Sequence, residues 1–199
     1  MRPTIAQRCV LFCLLAGLAL IVCVHRAEAQ AYPAAGQDPF APGAWNLELG
    51  GHVAVETWNY NASHETMYGT WQGFTYAIRK GLLLKLSWPL YYVEQRGADA
   101  YLIGATAGVR GRIAGAARAS LFWEVDVGVS KADSLTPPRG TQFNYLALGA
   151  LGVSARVAPR THLLASLRWM HLSNSGIAGR HRNPDIEAIG PQLGVLLGF

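Results

Sequence analysis

From Trp45 to the C-terminus the chain alternates apolar and polar residues, the period of two that places successive side chains on opposite faces of a β-strand. Between Leu121 and Ser130 one face is apolar, whereas the other face carries Glu124 and Asp126. The same alternation recurs in the segments 45–56, 70–79, 82–92, 101–113, 143–157, 162–173 and 187–199. The pattern therefore predicts an all-β protein with eight strands.

The polar faces of these strands are rich in glycine and in charges of both signs. Such charges can neutralise one another inside the narrow lumen of a small transmembrane barrel. The predicted inward set is Glu48, Glu56, Glu124, Asp126, Lys85, Arg110, Arg112 and Arg168, with His52 as a hydrogen-bonded lumen residue. A soluble β-sandwich is the alternative, but it would bury its apolar face and solvate its polar one. We predict an eight-stranded antiparallel transmembrane β-barrel with apolar faces toward lipid.

The lengths of the connections support a membrane barrel, in which short periplasmic turns alternate with longer outer loops. The predicted short connections are 79–81, 114–118 and 158–160, and the predicted long ones are 58–69, 131–142 and 174–186. The last strand ends on the aromatic residue Phe199, which resembles the C-terminal sorting signal of bacterial outer-membrane barrels. We therefore expect the outer membrane of a Gram-negative cell.

The N-terminus has the pattern of a cleaved export signal. Two arginines precede an apolar run from Cys9 to Val24, and the small-residue pattern Ala27-Glu28-Ala29 follows. A transmembrane helix is the alternative, but the run is shorter than the roughly 20 apolar residues that span a bilayer. We predict a signal peptide at 1–29, a periplasmic lead-in at 30–43 and the barrel at 44–199.

Composition narrows the chemistry of the mature chain. All three cysteines precede residue 29, so the barrel is expected to hold neither disulfides nor thiolate metal sites. Removing the signal lowers the formal charge from +5 to +3, because three arginines and one glutamate leave with it. A positive charge of this size is compatible with ordinary solubility or with contact with an anionic lipid surface. It does not indicate that the protein binds nucleic acid.

Candidate chemistry lies at the outer end of the last two strands. On the seventh strand the outward row runs from Leu163 through Trp169 and then continues into His171 and Ser173. Residues two apart on a strand lie roughly 7 Å apart, so a histidine can reach the serine. The same alternation on the eighth strand places the Glu187 side chain on the outer face, beside His171 and Ser173. Serine as nucleophile, histidine as base and a carboxylate that orients the histidine form a catalytic triad.

A triad of this type also needs hydrogen-bond donors for the oxyanion that forms during acyl transfer. Asn174, Asn183 and the backbone amide of Gly176 lie nearby in sequence, and the pattern does not choose among them. The alternative interpretation is that His171 and Ser173 are ordinary polar residues at a membrane interface.

Two sequence blocks carry a family resemblance: His171-Leu172-Ser173-Asn174-Ser175-Gly176-Ile177 and Asn183-Pro184-Asp185-Ile186-Glu187. Together they resemble the signature of the PagL-type lipid A 3-O-deacylases, small outer-membrane barrels that hydrolyse the 3-position ester of lipid A. The resemblance implies Ser173 as nucleophile, His171 as general base and Glu187 as its orienting carboxylate, with Asn174 and Asn183 in support. It implies no metal and no cofactor.

The resemblance covers only the last thirty residues and has two departures. The segment 178–182 looks longer than in the family, and Asp185 stands where glycine, the residue best suited to unusual backbone conformations, is usual.

The expected partners are lipid A or lipopolysaccharide and the surrounding lipids, with a site that opens sideways to the outer leaflet. A homo-oligomer is left open. The alternatives are a structural or adhesion barrel without enzymatic activity, and an esterase or phospholipase acting on another lipid.

Overall fold

The alternating segments fold into eight antiparallel strands that close into a barrel, as the sequence predicted. The computed structural model describes residues 38–58 and 64–199, so the predicted signal peptide and most of the lead-in lie outside the described residues. The strands are β1 (Trp45–Glu56), β2 (Thr66–Arg79), β3 (Leu82–Glu94), β4 (Ala100–Gly115), β5 (Ala119–Thr136), β6 (Thr141–Ala158), β7 (Thr161–Ser173) and β8 (Ile186–Gly198). Each strand pairs with its neighbours in sequence, and β1 pairs with β8.

The apolar side chains face outward and the polar ones inward. On β5, Val127 is 61% exposed, whereas the adjacent Asp126 is 2% exposed. This orientation is the reverse of a soluble sandwich and fits a lipid-facing outer surface. Among the residues that the structure describes, no helix is long and apolar enough to cross a membrane.

The two ends of the barrel differ. One end, the turn end, has the short connections 80–81, 116–118 and 159–160 together with both ends of the barrel sequence. The other end, the loop end, has the connections 57–65, 95–99, 137–140 and 174–185. Because short turns face the periplasm in transmembrane barrels, we expect the loop end to face outward.

One predicted loop is mostly strand. The segment 131–142 was expected to be a long connection, but β5 runs to Thr136 and β6 begins at Thr141. The extension has its own hydrogen bonds: Asn144 donates to the carbonyl of Thr136 (2.9 Å), and Gln142 donates to that of Asp133 (2.8 Å). The β5–β6 hairpin therefore extends beyond the segments in which apolar and polar residues alternate, because polar side chains form hydrogen bonds with its backbone.

The lumen is filled in three layers. An apolar layer lies toward the loop end and includes Met67, Leu146 and Leu172. A second apolar layer lies toward the turn end and includes Phe40 and Phe122. Between these two lies the ionic layer, in which the three carboxylates of Glu48, Glu124 and Asp126 meet the three cations of Lys85, Arg110 and Arg168.

Glu124 is the centre of the ionic layer. Its carboxylate lies 3.0 Å from Lys85 Nζ, 2.6 Å from Arg110 Nη2 and 2.5 Å from Arg168 Nη2. Arg110 also reaches Glu48 at 2.7 Å, and all of these side chains are buried. The predicted neutralisation inside the lumen is therefore present for six of the eight residues named from the sequence.

Two residues of the predicted inward set lie elsewhere. Glu56 lies at the loop end, where its carboxylate accepts from the backbone amide of Glu65 (3.3 Å). Arg112 lies at the turn end, where it pairs with Asp38 and packs 4.4 Å over the ring of Phe40. Both are too close to a strand end to reach the ionic layer, so the prediction that they pair with its charges was wrong, although Arg112 is still neutralised, by Asp38.

Residues 38–43 of the lead-in pack against the turn end. Phe40 is 1% exposed, and its carbonyl accepts a hydrogen bond from Gly81. Burial of Asp38 by itself would raise the pKa of this carboxyl, but hydrogen bonds from Arg112 and from the Phe40 amide outweigh burial and hold the pKa below its ordinary value. This short segment closes the mouth of the barrel.

The seam between β1 and β8 depends on a glycine. Pairing is interrupted between His52↔Gln192 and Val55↔Ile189, and a Cβ atom at Gly190 would lie 1.8 Å from the carbonyl oxygen of Val53. We expect Gly190→Ala to lower the free energy of unfolding of the barrel by about 1–3 kcal/mol, the usual cost of overpacking. The heat-dependent shift in electrophoretic mobility of folded barrels measures the folded fraction.

Gly149→Ala is the matched control for that prediction, because a Cβ at Gly149 meets nothing closer than 3.7 Å. Equal folded fractions for the two variants would show that the seam tolerates a side chain at Gly190.

Candidate active site

The candidate residues lie on the outer surface of the last hairpin, close to the loop end. Strand pairing places His171 of β7 directly opposite Glu187 of β8, and Ser173 opposite Tyr145 of β6. The period of two that turns Leu163 and Leu167 outward, at 49% and 55% exposure, brings His171 to the same face. The side chains of His171 and Glu187 are 28% and 17% exposed.

The three side chains predicted as a triad are joined in one hydrogen-bonded chain. His171 Nε2 lies 2.9 Å from Ser173 Oγ, and His171 Nδ1 lies 2.6 Å from Glu187 Oε1. With its proton on Nδ1, the ring donates to the carboxylate and accepts from the serine hydroxyl. This is the geometry in which histidine can take the serine proton while the carboxylate holds the ring.

Trp169 is a further contact that the sequence reasoning missed. Its indole Nε1 donates to Glu187 Oε2 at 2.7 Å, so both oxygens of the carboxylate have partners. The Trp169 ring also stacks on His171, with centroids 6.2 Å apart and planes at 21°. The sequence held a signal for this contact, because Trp169 precedes His171 by two positions on the same outward row.

The predicted oxyanion and support residues come together in the loop after Ser173. The backbone amide of Asn174 donates to Asn183 Oδ1 (3.0 Å), and the Asn174 side chain donates to the carbonyl of Arg182. The amide of Gly176 donates to Asn174 Oδ1 at 2.9 Å. These three residues therefore hold one another and shape the loop, and the Gly176 amide is already engaged.

Ser173 is less exposed than its position in the outward row of β7 suggested. It is 5% exposed and the neighbouring Asn174 is 3% exposed, so Ser173 lies beneath the outer surface while His171 and Glu187 are partly open. The chain turns sharply after these residues, with positive φ at Ser175, Gly176 and Gly179. The exposed part of this group is therefore formed by His171 and Glu187 on the β7–β8 face.

Asp185 leaves the backbone before Glu187 in an ordinary conformation. Among the described residues the non-glycine positions with positive φ are Arg139 and Ser175, so Asp185 needs no glycine-like geometry. Ligand atoms of His171, Asp185 and Glu187 lie within 4.8 Å of one another, a spacing that could hold a metal ion. Because Nδ1 of His171 and both oxygens of Glu187 have hydrogen-bond partners, we interpret these two residues as members of the hydrogen-bonded chain and not as metal ligands.

Comparison with protein-family models and with curated protein sequences gives no match. Among solved structures, the chain is similar to Neisserial surface protein A (14% identity, 79% of this chain and 99% of the other, TM-score 0.57). It is also similar to the outer membrane protein OprG from Pseudomonas aeruginosa (12% identity, 82% and 98%, TM-score 0.53). The outer membrane enzyme PagL matches at 14% identity over 76% and 98%, with a TM-score of 0.49 that carries no functional weight.

The fold and these neighbours define the class of protein. The chain is an eight-stranded outer-membrane β-barrel protein of the Gram-negative type, as the sequence analysis predicted. At these identities the similarity concerns the fold alone, so the function is argued from the site.

Proposed function

We propose that this barrel is a lipid A 3-O-deacylase that hydrolyses the acyl ester at the 3-position of lipid A in the outer leaflet. The observation that carries the proposal is that His171 bonds Ser173 Oγ and Glu187 at the same time, on the outward face of the barrel. The choice of lipid A as the substrate rests on the resemblance of the blocks 171–177 and 183–187 to the PagL-type deacylases.

The reaction follows from the hydrogen-bonded chain. Ser173 Oγ attacks the ester carbonyl carbon as its proton passes to His171 Nε2, and Glu187 stabilises the imidazolium that forms. The tetrahedral intermediate then collapses, and His171 returns the proton to the sugar oxygen that leaves. Water, deprotonated by His171, attacks the acyl-enzyme, so that a fatty acid is released and Ser173 is restored.

The position of the site suits a lipid substrate. Lipid A lies in the outer leaflet with its acyl esters near the boundary between headgroups and chains, and the triad lies where the outward apolar row of β7 gives way to polar residues. The substrate can therefore approach sideways within the membrane, and neither a metal nor a cofactor is required by this chemistry.

Mass spectrometry of lipid A tests the proposal. Expressed in a Gram-negative host whose lipid A carries a 3-position ester, the protein should convert lipid A to a form lighter by one acyl chain. Unchanged lipid A in cells that contain the folded barrel would overturn the proposal and favour a structural or adhesion role. Release of fatty acid from phospholipids alone would instead favour an esterase or phospholipase on another lipid.

Trp169→Phe should lower kcat about tenfold with little change in KM. Phenylalanine keeps an aromatic ring beside His171 but removes the indole N–H that holds Glu187 Oε2. A hydrogen bond to a charged group contributes about 1.5–3 kcal/mol, and about 1.4 kcal/mol corresponds to a factor of ten in rate. Steady-state kinetics on lipid A in detergent micelles gives both constants.

Trp88→Phe is the control for the loss of an exposed indole, because Trp88 is 37% exposed against 40% for Trp169. If the two variants kept the same kcat, the bond from Trp169 to Glu187 would have no part in positioning the triad.

A further inference from the structure

The charges of the barrel are divided unevenly between its two ends. The ionic layer is balanced, and residues 30–37 and 59–63 carry no charged side chain. At the loop end, carboxylates outnumber lysines and arginines. The turn end carries six cationic side chains against one carboxylate side chain, that of Asp38: Arg79, Lys80, Arg112, Arg118, Arg156 and Arg160. The positive charge of the mature chain is therefore concentrated at the turn end.

Four of these residues, which we call the turn-end cations, are Arg79, Lys80, Arg118 and Arg160. The first three are exposed and Arg160 is half-buried. Within residues 38–58 and 64–199, no carboxylate forms an ion pair with any of the four. Arg112 differs, because it is paired with Asp38 in the lead-in. Within the described part of the chain, the charge of the turn-end cations is therefore not neutralised by an ion pair.

These cations are spread around the rim. They belong to three turns, β2–β3, β4–β5 and β6–β7, which alternate with the loop-end connections around the closed barrel. A protein partner docking on one side would contact only part of such a ring. A shell of lipids that surrounds the barrel contacts all of it.

The rim also lies at the edge of the apolar outer surface. The outward rows of β2, β4 and β6 end in Ile78, Ile113 and Val157, which are 46%, 52% and 56% exposed, and the turns follow directly. Trp45, 47% exposed, packs against Tyr76 at the same end, as aromatic residues do at membrane interfaces. The turn-end cations therefore lie at the depth of lipid headgroups.

We propose that the turn end binds the phosphate groups of anionic phospholipids, of the phosphatidylglycerol type, in the leaflet that it faces. Lysine and arginine near a membrane surface attract such lipids by about 1 kcal/mol per residue. Arginine in addition offers the paired N–H donors that match phosphate oxygens. This binding surface lies at the opposite end of the barrel from His171 and does not depend on the proposed enzymatic activity.

Electron spin resonance of spin-labelled lipids tests the proposal on the whole barrel in phosphatidylcholine bilayers. At low salt the fraction of lipid immobilised by the protein should show about a fivefold preference for phosphatidylglycerol over phosphatidylcholine, given about 1 kcal/mol of attraction and about 1.4 kcal/mol per factor of ten. The preference should decline in 0.5 M salt, where charges are screened within a few ångströms.

Two charge-matched variants locate the effect. Replacing all four turn-end cations by glutamine should abolish the preference. Replacing four loop-end cations, Arg96, Lys131, Arg139 and Arg182, by glutamine should preserve it. The electrophoretic mobility shift shows whether each variant folds. If the variant with four substitutions at the turn end does not fold, the double variant Arg79→Gln with Lys80→Gln replaces it, and this variant should weaken the preference for phosphatidylglycerol. No preference in the unmodified barrel, or equal losses in the two variants, would overturn the proposal.

Discussion

Replacing Ser173 by alanine is expected to lower lipid A hydrolysis by on the order of 10⁴-fold or more, because no other group can form the acyl-enzyme at that position. The hydroxyl contributes one hydrogen bond, to His171 at 2.9 Å, and the alanine side chain fits the same buried position. The barrel should therefore fold and insert normally. Mass spectrometry of lipid A from cells with equal amounts of folded protein measures the loss.

The same experiment includes His171→Ala and the double variant. Groups that act as one unit are not additive, so the double variant should be no slower than either single one. Ser166→Ala is the control, since Ser166 also lies on β7 but pairs with Gly152, away from the triad. Residual activity near the unmodified level in Ser173→Ala would mean that the nucleophile is another residue.

Glu124→Ala should be the most destabilising single substitution in the ionic layer, with a loss of about 3–5 kcal/mol in the free energy of unfolding. Without this carboxylate, Lys85, Arg110 and Arg168 remain buried side by side with only Glu48 and Asp126 to pair with. Unpaired charge enclosed between two apolar layers is poorly solvated. Urea unfolding in lipid vesicles, followed by tryptophan fluorescence, measures the change.

Glu94→Ala is the control because Glu94 is exposed at the loop end of β3, and we expect its unfolding free energy to change by less than about 0.5 kcal/mol. Similar midpoints for the two variants would mean that the ionic layer contributes specificity of packing but no net stability.

The sequence predicted most of this architecture because a β-strand has a simple period. Alternation places Glu124 and Asp126 inside and Val125 and Val127 outside, and a displacement of one residue would exchange lipid-facing and lumen-facing side chains along the whole strand. The same parity placed His171 and Ser173 on one face. The register of the β7–β8 hairpin then set Glu187 opposite His171, which the alternation alone could only suggest.

What the sequence did not predict depends on contacts across the chain. The end of β5 at Thr136 is set by hydrogen bonds from Asn144, and the position of Arg112 is set by Asp38, 74 residues away. The bond from Trp169 to Glu187 joins two strands diagonally and requires a particular side-chain rotamer. Periodicity carries no information about rotamers or about polar contacts at strand ends.

The layered lumen leaves no route to His171 through the interior of the barrel. Two apolar layers close the barrel on either side of the ionic layer, so that access from the periplasmic side through the interior is blocked. For the proposed lipid A substrate, the route to the β7–β8 face is then lateral diffusion within its own leaflet. The quantity that governs occupancy of the site is then the mole fraction of the lipid in the membrane surface, and turnover should fall when inert lipid dilutes it at constant bulk concentration.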